Sequence, residues 1–296
     1  MHRATVLPFA FAVLAACHGT PPQPKLTPLA VTTPIAVHYE GSVGALTPAD
    51  DAALAAPSPD TAAPGTPAVA FRATLLELPR DEARALVPDL GCAAPPPVEV
   101  LADGSMRAWS ERGVTDSDGP RFTTRRQRAI GLGGGRVERT ALRSALTTLA
   151  SHGRVAMAPM ASAAFDTSAT LTVQKQRAFV RGMRLAAIAD SVLVDDIDVA
   201  TFDEGARFRF TAHRHGSDVA VDVEWLDVRA VLPVPYGGGI QLPVLERHHV
   251  TARAVLREND GLVLGSLPGR DGDSVLLLCV EIDPLGTSVA RHENGR

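Results

Sequence analysis

The clearest pattern in the chain is an alternation of apolar and polar positions between Glu204 and Leu267. The odd-numbered residues from Val219 to Trp225 are all apolar, and Asp222 and Glu224 lie between them. A period of two residues places these two sets on opposite sides of an extended chain, which predicts a half-buried strand. The segment Val250–Leu256 alternates in the same way. We therefore predict a series of β-strands here.

Turn residues divide this region into strands. The segment Pro233–Gly239 interrupts the alternation with prolines and glycines. The segment Asn259–Gly261 predicts a tight hairpin, because Asn, Asp and Gly tolerate the positive φ that such turns require. The whole region from 204 to 267 is thus predicted to be an antiparallel β-meander.

The strongest helical pattern spans Val137–Ala150, and Gly153 follows where a C-terminal cap belongs. A shorter helical turn is predicted at Pro79–Leu86, with acidic residues near its start. Many strands and one amphipathic helix packed on them predict an α+β, mainly β fold with antiparallel or mixed sheets. The predicted apolar face of the long helix contains Val137, Leu142, Leu146, Leu149 and Ala150.

The N-terminus predicts export and attachment to lipid. A basic start is followed by the apolar run Ala4–Val13, which suits a secretory signal better than a membrane-spanning helix. Leu14–Cys17 resembles the bacterial lipobox, in which Cys17 would be diacylated and begin the mature protein. The alternative is a plain signal peptide with an incidental cysteine. Because Asp is absent after Cys17, we expect sorting to the outer membrane, with the domain facing the periplasm.

Composition divides the rest of the chain. Prolines recur among Ala, Thr and Gly over residues 18–67, which predicts a tether with too little apolar surface to offset the entropy of ordering. A short helix at Thr47–Leu54 and an edge strand at Ile35–Tyr39 are the ordered pieces that we expect in it. The predicted organisation is a signal peptide at 1–17, this tether, a β-rich domain at 68–283 and a C-terminal tail at 284–296.

The order of motifs resembles the β-domain of the secretins, the outer-membrane gate proteins of type II and type III secretion and of type IV pili. The resemblance runs in one order over residues 69–282, with Ser266 and Lys175 where that family usually has glycines. It is carried by Ala158-Pro159, Gln176-Arg177-Ala178, Glu204-Gly205, Leu242–Arg247 and Asp260–Leu267.

The resemblance implies a protein that assembles with copies of itself or with other envelope proteins and is not an enzyme. We therefore predict a lipid-anchored, secretin-like envelope protein that acts in or alongside a secretion or pilus assembly. The segment Arg181–Asp203, where the family inserts membrane-lip hairpins, is short, so we expect a domain that does not span the bilayer. The alternative is a lipid-anchored periplasmic β-sandwich that binds a small ligand or a metal.

Candidate chemistry is sparse. A net charge of −4 gives no basic footprint for nucleic acid, and no nucleophile elbow, zinc-protease motif or CxxC pair predicts catalysis or a cofactor. His213, His215, His248 and His249 are weak metal candidates, since paired imidazoles can bind zinc or copper. No cysteine or carboxylate spacing supports a metal site, so the favoured interpretation is that they are outward polar positions of strands and turns.

Two cysteines remain if Cys17 carries lipid. Cys92 and Cys279 could form one disulfide in an oxidising compartment, or both could be buried thiols. The apolar run Val275–Val280 around Cys279 suits the second reading as well as the first. An exported enzyme assembled from the histidines and the Asp/Glu clusters is the remaining hypothesis.

Overall fold

The computed structural model describes residues 24–45, 68–88, 90–91, 98–100, 106–108, 125–130, 133–188, 191–236, 240–269 and 272–285. Within these ranges two helices, α1 (Arg80–Leu86) and α2 (Arg139–Ser151), accompany the strands. The strands are β1 (Thr33–Pro34), β2 (Val37–Ala45), β3 (Ala68–Pro79), β4 (Val98–Val100), β5 (Met106–Ala108), β6 (Arg125–Ile130), β7 (Gly134–Glu138), β8 (Val155–Met157), β9 (Met160–Ala164), β10 (Ser168–Ile188), β11 (Ser191–His215), β12 (Asp218–Tyr236), β13 (Ile240–Leu256), β14 (Asp260–Pro268) and β15 (Ser274–Leu285).

The strands form two large antiparallel sheets. The seven-stranded sheet has the order β1-β7-β14-β15-β3-β8, and β9 also pairs with β3. The six-stranded sheet has the order β10-β11-β12-β13-β2-β6, and β4 pairs with β5 separately. The predicted α+β, mainly β fold is confirmed. The last described strand, β15, runs to Leu285, past the predicted boundary at 283.

The main core lies between the two sheets. Phe71 of the seven-stranded sheet stacks on Phe210 of the six-stranded sheet, with ring centroids 5.3 Å apart. On β12, Val223 and Trp225 are buried in this core, whereas Glu224 between them lies on the other side. The predicted alternation is therefore confirmed, and it explains how one face of the six-stranded sheet remains polar.

Helix α2 covers the other face of the seven-stranded sheet, as predicted. Its residues Leu142 and Leu149 are buried against that sheet. The helix begins at Arg139, because Val137 is a buried position of β7, and Glu138 caps it by accepting from Ala141 N at 2.8 Å. Gly153, with a φ of 68°, ends it in the predicted manner.

The segment predicted as a tether differs in its described part. Strand β1 pairs with β7 in one sheet, and β2 pairs with both β13 and β6 in the other. Leu29, Val37 and Tyr39 are at most 3% exposed. The average composition of the segment did not indicate this packing, because a few apolar residues at alternating positions are enough to bury one side of a strand. The predicted helix Thr47–Leu54 lies outside the described residues.

The predicted hairpin at Asn259–Gly261 is wrong. Strand β13 pairs with β12 and β2, whereas β14 pairs with β7 and β15, so the chain crosses there from one sheet to the other. A Cβ at Gly261 would lie 2.5 Å from a Leu142 methyl, so the glycine admits helix α2. The meander is correct for β11–β13. Of the predicted turn Pro233–Gly239, residues 233–236 belong to the end of β12, and 237–239 lie outside the described residues.

The six-stranded sheet divides at Gly205. From Gly205 to Thr211, β11 pairs with both β10 and β12; before Gly205, within the described residues, β11 pairs with β10 alone. We call residues 175–188 and 191–204 the first ribbon. A Cβ at Gly205 would lie 2.1 Å from Val173 O, so the close approach of the two strands requires glycine. The segment Arg181–Asp203 lies within the first ribbon. Apolar and polar residues alternate too weakly along the ribbon for the sequence to predict it.

Candidate functional site

The face of the six-stranded sheet that points away from the core carries a cross-strand ladder of charges, which we call the polar face. Its register places Arg209 of β11 opposite Glu224 of β12, and Asp222 of β12 opposite Arg253 of β13. Residues directly opposite one another on a sheet lie close enough for their side chains to pair. The full ladder consists of Arg207, Arg209, His213, Asp222, Glu224, His249 and Arg253.

Glu224 is the centre of one half of the polar face. Its carboxylate lies 3.1 Å from Arg209 Nη1, 3.7 Å from Arg207 Nη2 and 3.2 Å from His249 Nε2. The hydrogen bond from His249 outweighs burial and, together with the charges of Arg209, His249 and Arg207, holds the pKa of Glu224 below its ordinary value. The carboxylate is therefore kept ionised by groups from two neighbouring strands.

Asp222 organises the other half. Its carboxylate lies 3.3 Å from Arg253 Nε and 3.1 Å from His213 Nε2. The other ring nitrogen of His213 lies 2.7 Å from Asp166 Oδ1, and Asp166 adopts a positive φ of 64° in the turn before β10. His213 thus lies between two carboxylates, and Asp166, His213, Asp222 and Arg253 form one chain of contacts.

A groove of about 420 Å³ runs across the polar face. Four strands contribute to its lining: β2, β11, β12 and β13. Ala36, Thr211 and Thr251 supply short side chains, whereas Arg209 and Arg253 supply long ones. The groove therefore lies where short side chains are next to the charged ladder.

A second polar group lies on the inner side of the same sheet. The hydroxyl of Tyr39 on β2 lies 2.9 Å from His248 Nδ1 on β13, and His248 is fully buried. The other nitrogen, Nε2, lies 3.2 Å from Glu246 Oε1, in a geometry too bent for a good hydrogen bond. On β12, Arg229 Nε contacts Asp227 Oδ2 at 2.5 Å, and both residues are buried.

Burial disfavours the charged form of two acids in this inner group, but the net change in pKa differs between them. Burial, reinforced by the negative charge of Glu246, raises the pKa of Tyr39, so its hydroxyl keeps its proton. Burial also disfavours the charged form of Glu246. The contact and charge of His248, together with the charge of Arg229, nevertheless hold the pKa of Glu246 below its ordinary value. This group ties β2 to the β12–β13 hairpin.

The four predicted metal candidates do not come together. His248 lies on the inner side of β13 and His249 on the polar face, because neighbours on a strand point to opposite sides. His213 contacts Asp166 and Asp222, and His215 lies exposed at the end of β11. Among the described residues, no three His, Cys, Asp or Glu side chains are placed to hold a metal ion.

The predicted cysteine sites are only partly described. Cys279 is a free thiol, 2% exposed, inside β15. Burial, together with the charge of Glu281, raises the pKa of Cys279 to about 12. Cys92 and the predicted lipidation site, Cys17, lie outside the described residues.

The sequence placed Tyr39 only at the end of a predicted edge strand within the tether, so its buried contact with His248 was missed. Sequence analysis also missed the pairing of Arg209 with Glu224, although the alternation of charged and apolar residues along β11 was a usable signal. Neither helix in the described ranges is both long and apolar enough to cross a membrane.

Comparisons with known proteins reveal only a distant likeness. No protein-family model and no curated protein matches the sequence. Among solved structures, the InvG secretin domain β-barrel of the Salmonella SPI-1 injectisome aligns with 88% of this chain at 10% identity and a TM-score of 0.31. The type IV competence pilus secretin PilQ of V. cholerae aligns with 86% at 8% identity and a TM-score of 0.28.

The chain spans 66% of the length of the InvG chain and 61% of the PilQ chain, less than two thirds of either. At TM-scores this low, the likeness defines neither family nor function. Both must be inferred from the chain's own strands and charges.

Proposed function

We propose that this protein is a lipid-anchored, secretin-like envelope protein that acts in or alongside a secretion or pilus assembly. It works through contacts with other protein chains and not through catalysis. The observation that carries this proposal is the opposite charge of the two edges of the first ribbon.

The two strands of the ribbon differ sharply in charge. Residues 176–188 of β10 include three arginines and no acidic residue. Residues 191–204 of β11 include five acidic residues and no basic residue. In residues 175–188 and 191–204 neither strand pairs with a third strand within the described part of the chain, so both edges offer backbone hydrogen-bonding groups. Such edges are templates for pairing with another chain.

Opposite charges on the two edges suit a head-to-tail arrangement of copies. The basic edge of one copy would meet the acidic edge of the next, and a heterologous contact of this kind generates rings or open filaments. Exposed apolar side chains on the same ribbon, Ile197 at 51% and Val199 at 57%, add surface that a neighbour could bury. The ribbon thus has the charge, edges and apolar area that an assembly contact needs.

The predicted anchor would hold this domain close to a membrane. Pro24, the first described residue, lies seven positions after Cys17. A fully extended chain of that length spans roughly 25 Å. A domain attached in this way stays at the periplasmic surface without spanning the bilayer.

Charge reversal tests the assembly contact. The chain from residue 18 onward, without the signal peptide, is to be examined by analytical ultracentrifugation. We expect oligomers at low salt that dissociate in the variant Arg181→Glu/Arg184→Glu. Mixing that variant with Asp195→Arg/Asp196→Arg should restore hetero-oligomers. Arg72→Glu, on the seven-stranded sheet, is the matched control. Oligomers that survive the reversal, or a monomer at every concentration, would refute the proposed contact.

The anchor is tested separately by cell fractionation. Cys17→Ser should move the protein from the membrane to the soluble fraction, because one diacylated cysteine provides the attachment. A variant that still fractionates with membranes would show that the lipobox interpretation is wrong or that another anchor exists. The alternative function, a binding module for a small ligand, has the groove on the polar face in its favour.

A further inference from the structure

The carboxylates on the floor of the groove already have cationic partners. Glu224 is contacted by Arg207, Arg209 and His249, and Asp222 by Arg253 and His213. Of these arginines, Arg209 and Arg253 line the groove and balance its two carboxylates, and Arg207 adds a third guanidinium group beside Glu224. A cationic ligand would have to displace these partners. An anionic ligand would not.

The two arginines of the groove keep donors that their carboxylates do not use. Arg253 contacts Asp222 through Nε, and its side chain is 67% exposed. Arg209 contacts Glu224 through Nη1, and its side chain is 40% exposed. A guanidinium has five N–H donors in a planar fork that matches carboxylate oxygens. Each arginine is therefore held in place by one carboxylate and can still bind a second.

The dimensions of the groove indicate what kind of anion it would hold. Its volume of about 420 Å³ falls within the usual range of sites for small organic ligands and exceeds what a single inorganic ion needs. Arg209 and Arg253 lie on β11 and β13, with β12 between them, so a ligand that contacts both must extend across one strand. An extended molecule with more than one carboxylate fits this spacing.

We infer that the groove binds a short acidic peptide segment, with Arg209 and Arg253 as its carboxylate anchors. Thr211 and Thr251 also line the groove, and their short side chains leave room for the ligand's backbone. This inference rests on the groove alone and is independent of the ribbon edges.

Isothermal titration calorimetry with the chain from residue 18 onward tests the inference. The probe is a tripeptide of three glutamates with blocked ends, and we expect saturable binding that weakens as salt is raised. The corresponding tripeptides of glutamine and of lysine should not bind measurably. Inorganic phosphate should bind more weakly, because it cannot reach both arginines at once. Failure of the glutamate peptide to bind at low salt would overturn the inference.

Substitutions locate the site. Arg209→Gln and Arg253→Gln should each weaken binding about tenfold, the usual effect of losing a hydrogen bond to a charged group. Arg72→Gln is the matched control. Arg72 lies on the other sheet, where its Nε contacts Asp283 at 3.3 Å and its side chain is 48% exposed, so it forms a comparable arginine–carboxylate pair outside the groove. Circular dichroism must show that every variant is folded.

One substitution should act in the opposite direction. Glu224→Gln removes a carboxylate that competes for Arg209, so it should tighten binding of the glutamate peptide while raising the net charge of the groove. Binding that is unchanged in both arginine variants, or reduced equally by Arg72→Gln, would place the peptide elsewhere and refute the assignment.

Discussion

The hydroxyl of Tyr39 lies 2.9 Å from Nδ1 of His248, although the two residues are 209 positions apart in the chain. The Tyr39 ring reaches across its own strand, since a Cβ at Gly41 would lie 2.1 Å from the tyrosine oxygen. Gly41 is also the residue opposite His248 in the sheet. This buried pair therefore holds the N-terminal strand β2 in register on β13.

Tyr39→Phe should destabilise the fold. It removes the hydroxyl and leaves a buried ring nitrogen of His248 without a partner, which typically costs about 1–3 kcal/mol in the free energy of unfolding. Urea denaturation measures the loss. A double-mutant cycle with His248→Leu isolates the pair: the two single losses should exceed the double loss by more than about 0.5 kcal/mol. Strict additivity would show that the contact contributes nothing.

Gly205→Ala should be far more disruptive than an equivalent change elsewhere in the first ribbon. A Cβ there would meet backbone of the neighbouring strand, 2.1 Å from Val173 O and 2.6 Å from Gln174 Cα, and backbone cannot yield without breaking pairs. We expect a loss of about 3 kcal/mol in the free energy of unfolding, measured by urea denaturation.

Gly182→Ala is the matched control on the same ribbon. Its Cβ would meet Asp198 at 3.7 Å, which is an ordinary van der Waals contact. Its free energy of unfolding should match that of the unsubstituted protein within about 0.5 kcal/mol. Similar losses for both variants would mean that the close approach at Gly205 does not constrain the ribbon.

The parts of the fold that follow a local period could be predicted from the sequence. Val223 and Trp225 lie inward and Glu224 outward because a strand alternates regardless of its partner. An edge strand was predicted at Ile35–Tyr39, but the full length of β2 and its place between β13 and β6 could not be, because they depend on strands far away in the sequence. The crossing between the sheets at Asp260 could not be predicted for the same reason. The same turn residues occur whether the next strand pairs with the previous one or joins the other sheet.

The candidate site was predictable to a similar extent. The outward positions of Asp222, Glu224 and Arg253 follow from alternation, and the structure confirms them. The contacts of Glu224 with Arg209 and His249 depend on the register of three strands. No single strand's sequence contains that register, which is set jointly by turn lengths and core packing.

Cys279 should be chemically inert in the folded protein. Its thiol is buried and free, and burial raises its pKa to about 12, so almost none of it is the reactive thiolate near neutral pH. In the variant Cys17→Ser/Cys92→Ser, a thiol reagent such as DTNB should modify Cys279 only after unfolding in guanidinium chloride. Rapid modification of the native protein would contradict this placement.

Peptide mapping distinguishes the two states left open for Cys92, which are a disulfide with Cys279 and a free thiol. In the protein with all of its cysteines, non-reducing peptide mapping should recover Cys279 as a free thiol. A recovered peptide that joins Cys92 to Cys279 would show that the pair is oxidised instead.

Stability should fall in acid because of Glu224 and Glu246. Both have a pKa below the ordinary value in the folded state, the first through its hydrogen bond from His249 and the second through His248 and Arg229 in spite of burial. An unfolded glutamate titrates near pH 4.3. Above that pH both states carry the charged carboxylate, and the stabilisation is fully present.

As the pH falls through the ordinary value towards the lower folded pKa, the unfolded state binds protons first and the stabilisation is lost. The free energy of unfolding, measured by urea denaturation from pH 7 to pH 3, should therefore decline below about pH 5. Glu224→Gln should flatten that decline, as should Glu246→Gln if it folds. Glu258→Gln, at an exposed position, controls for the loss of one carboxylate. A decline that is equally steep in Glu224→Gln and in the unsubstituted protein would show that this ladder does not contribute to acid sensitivity.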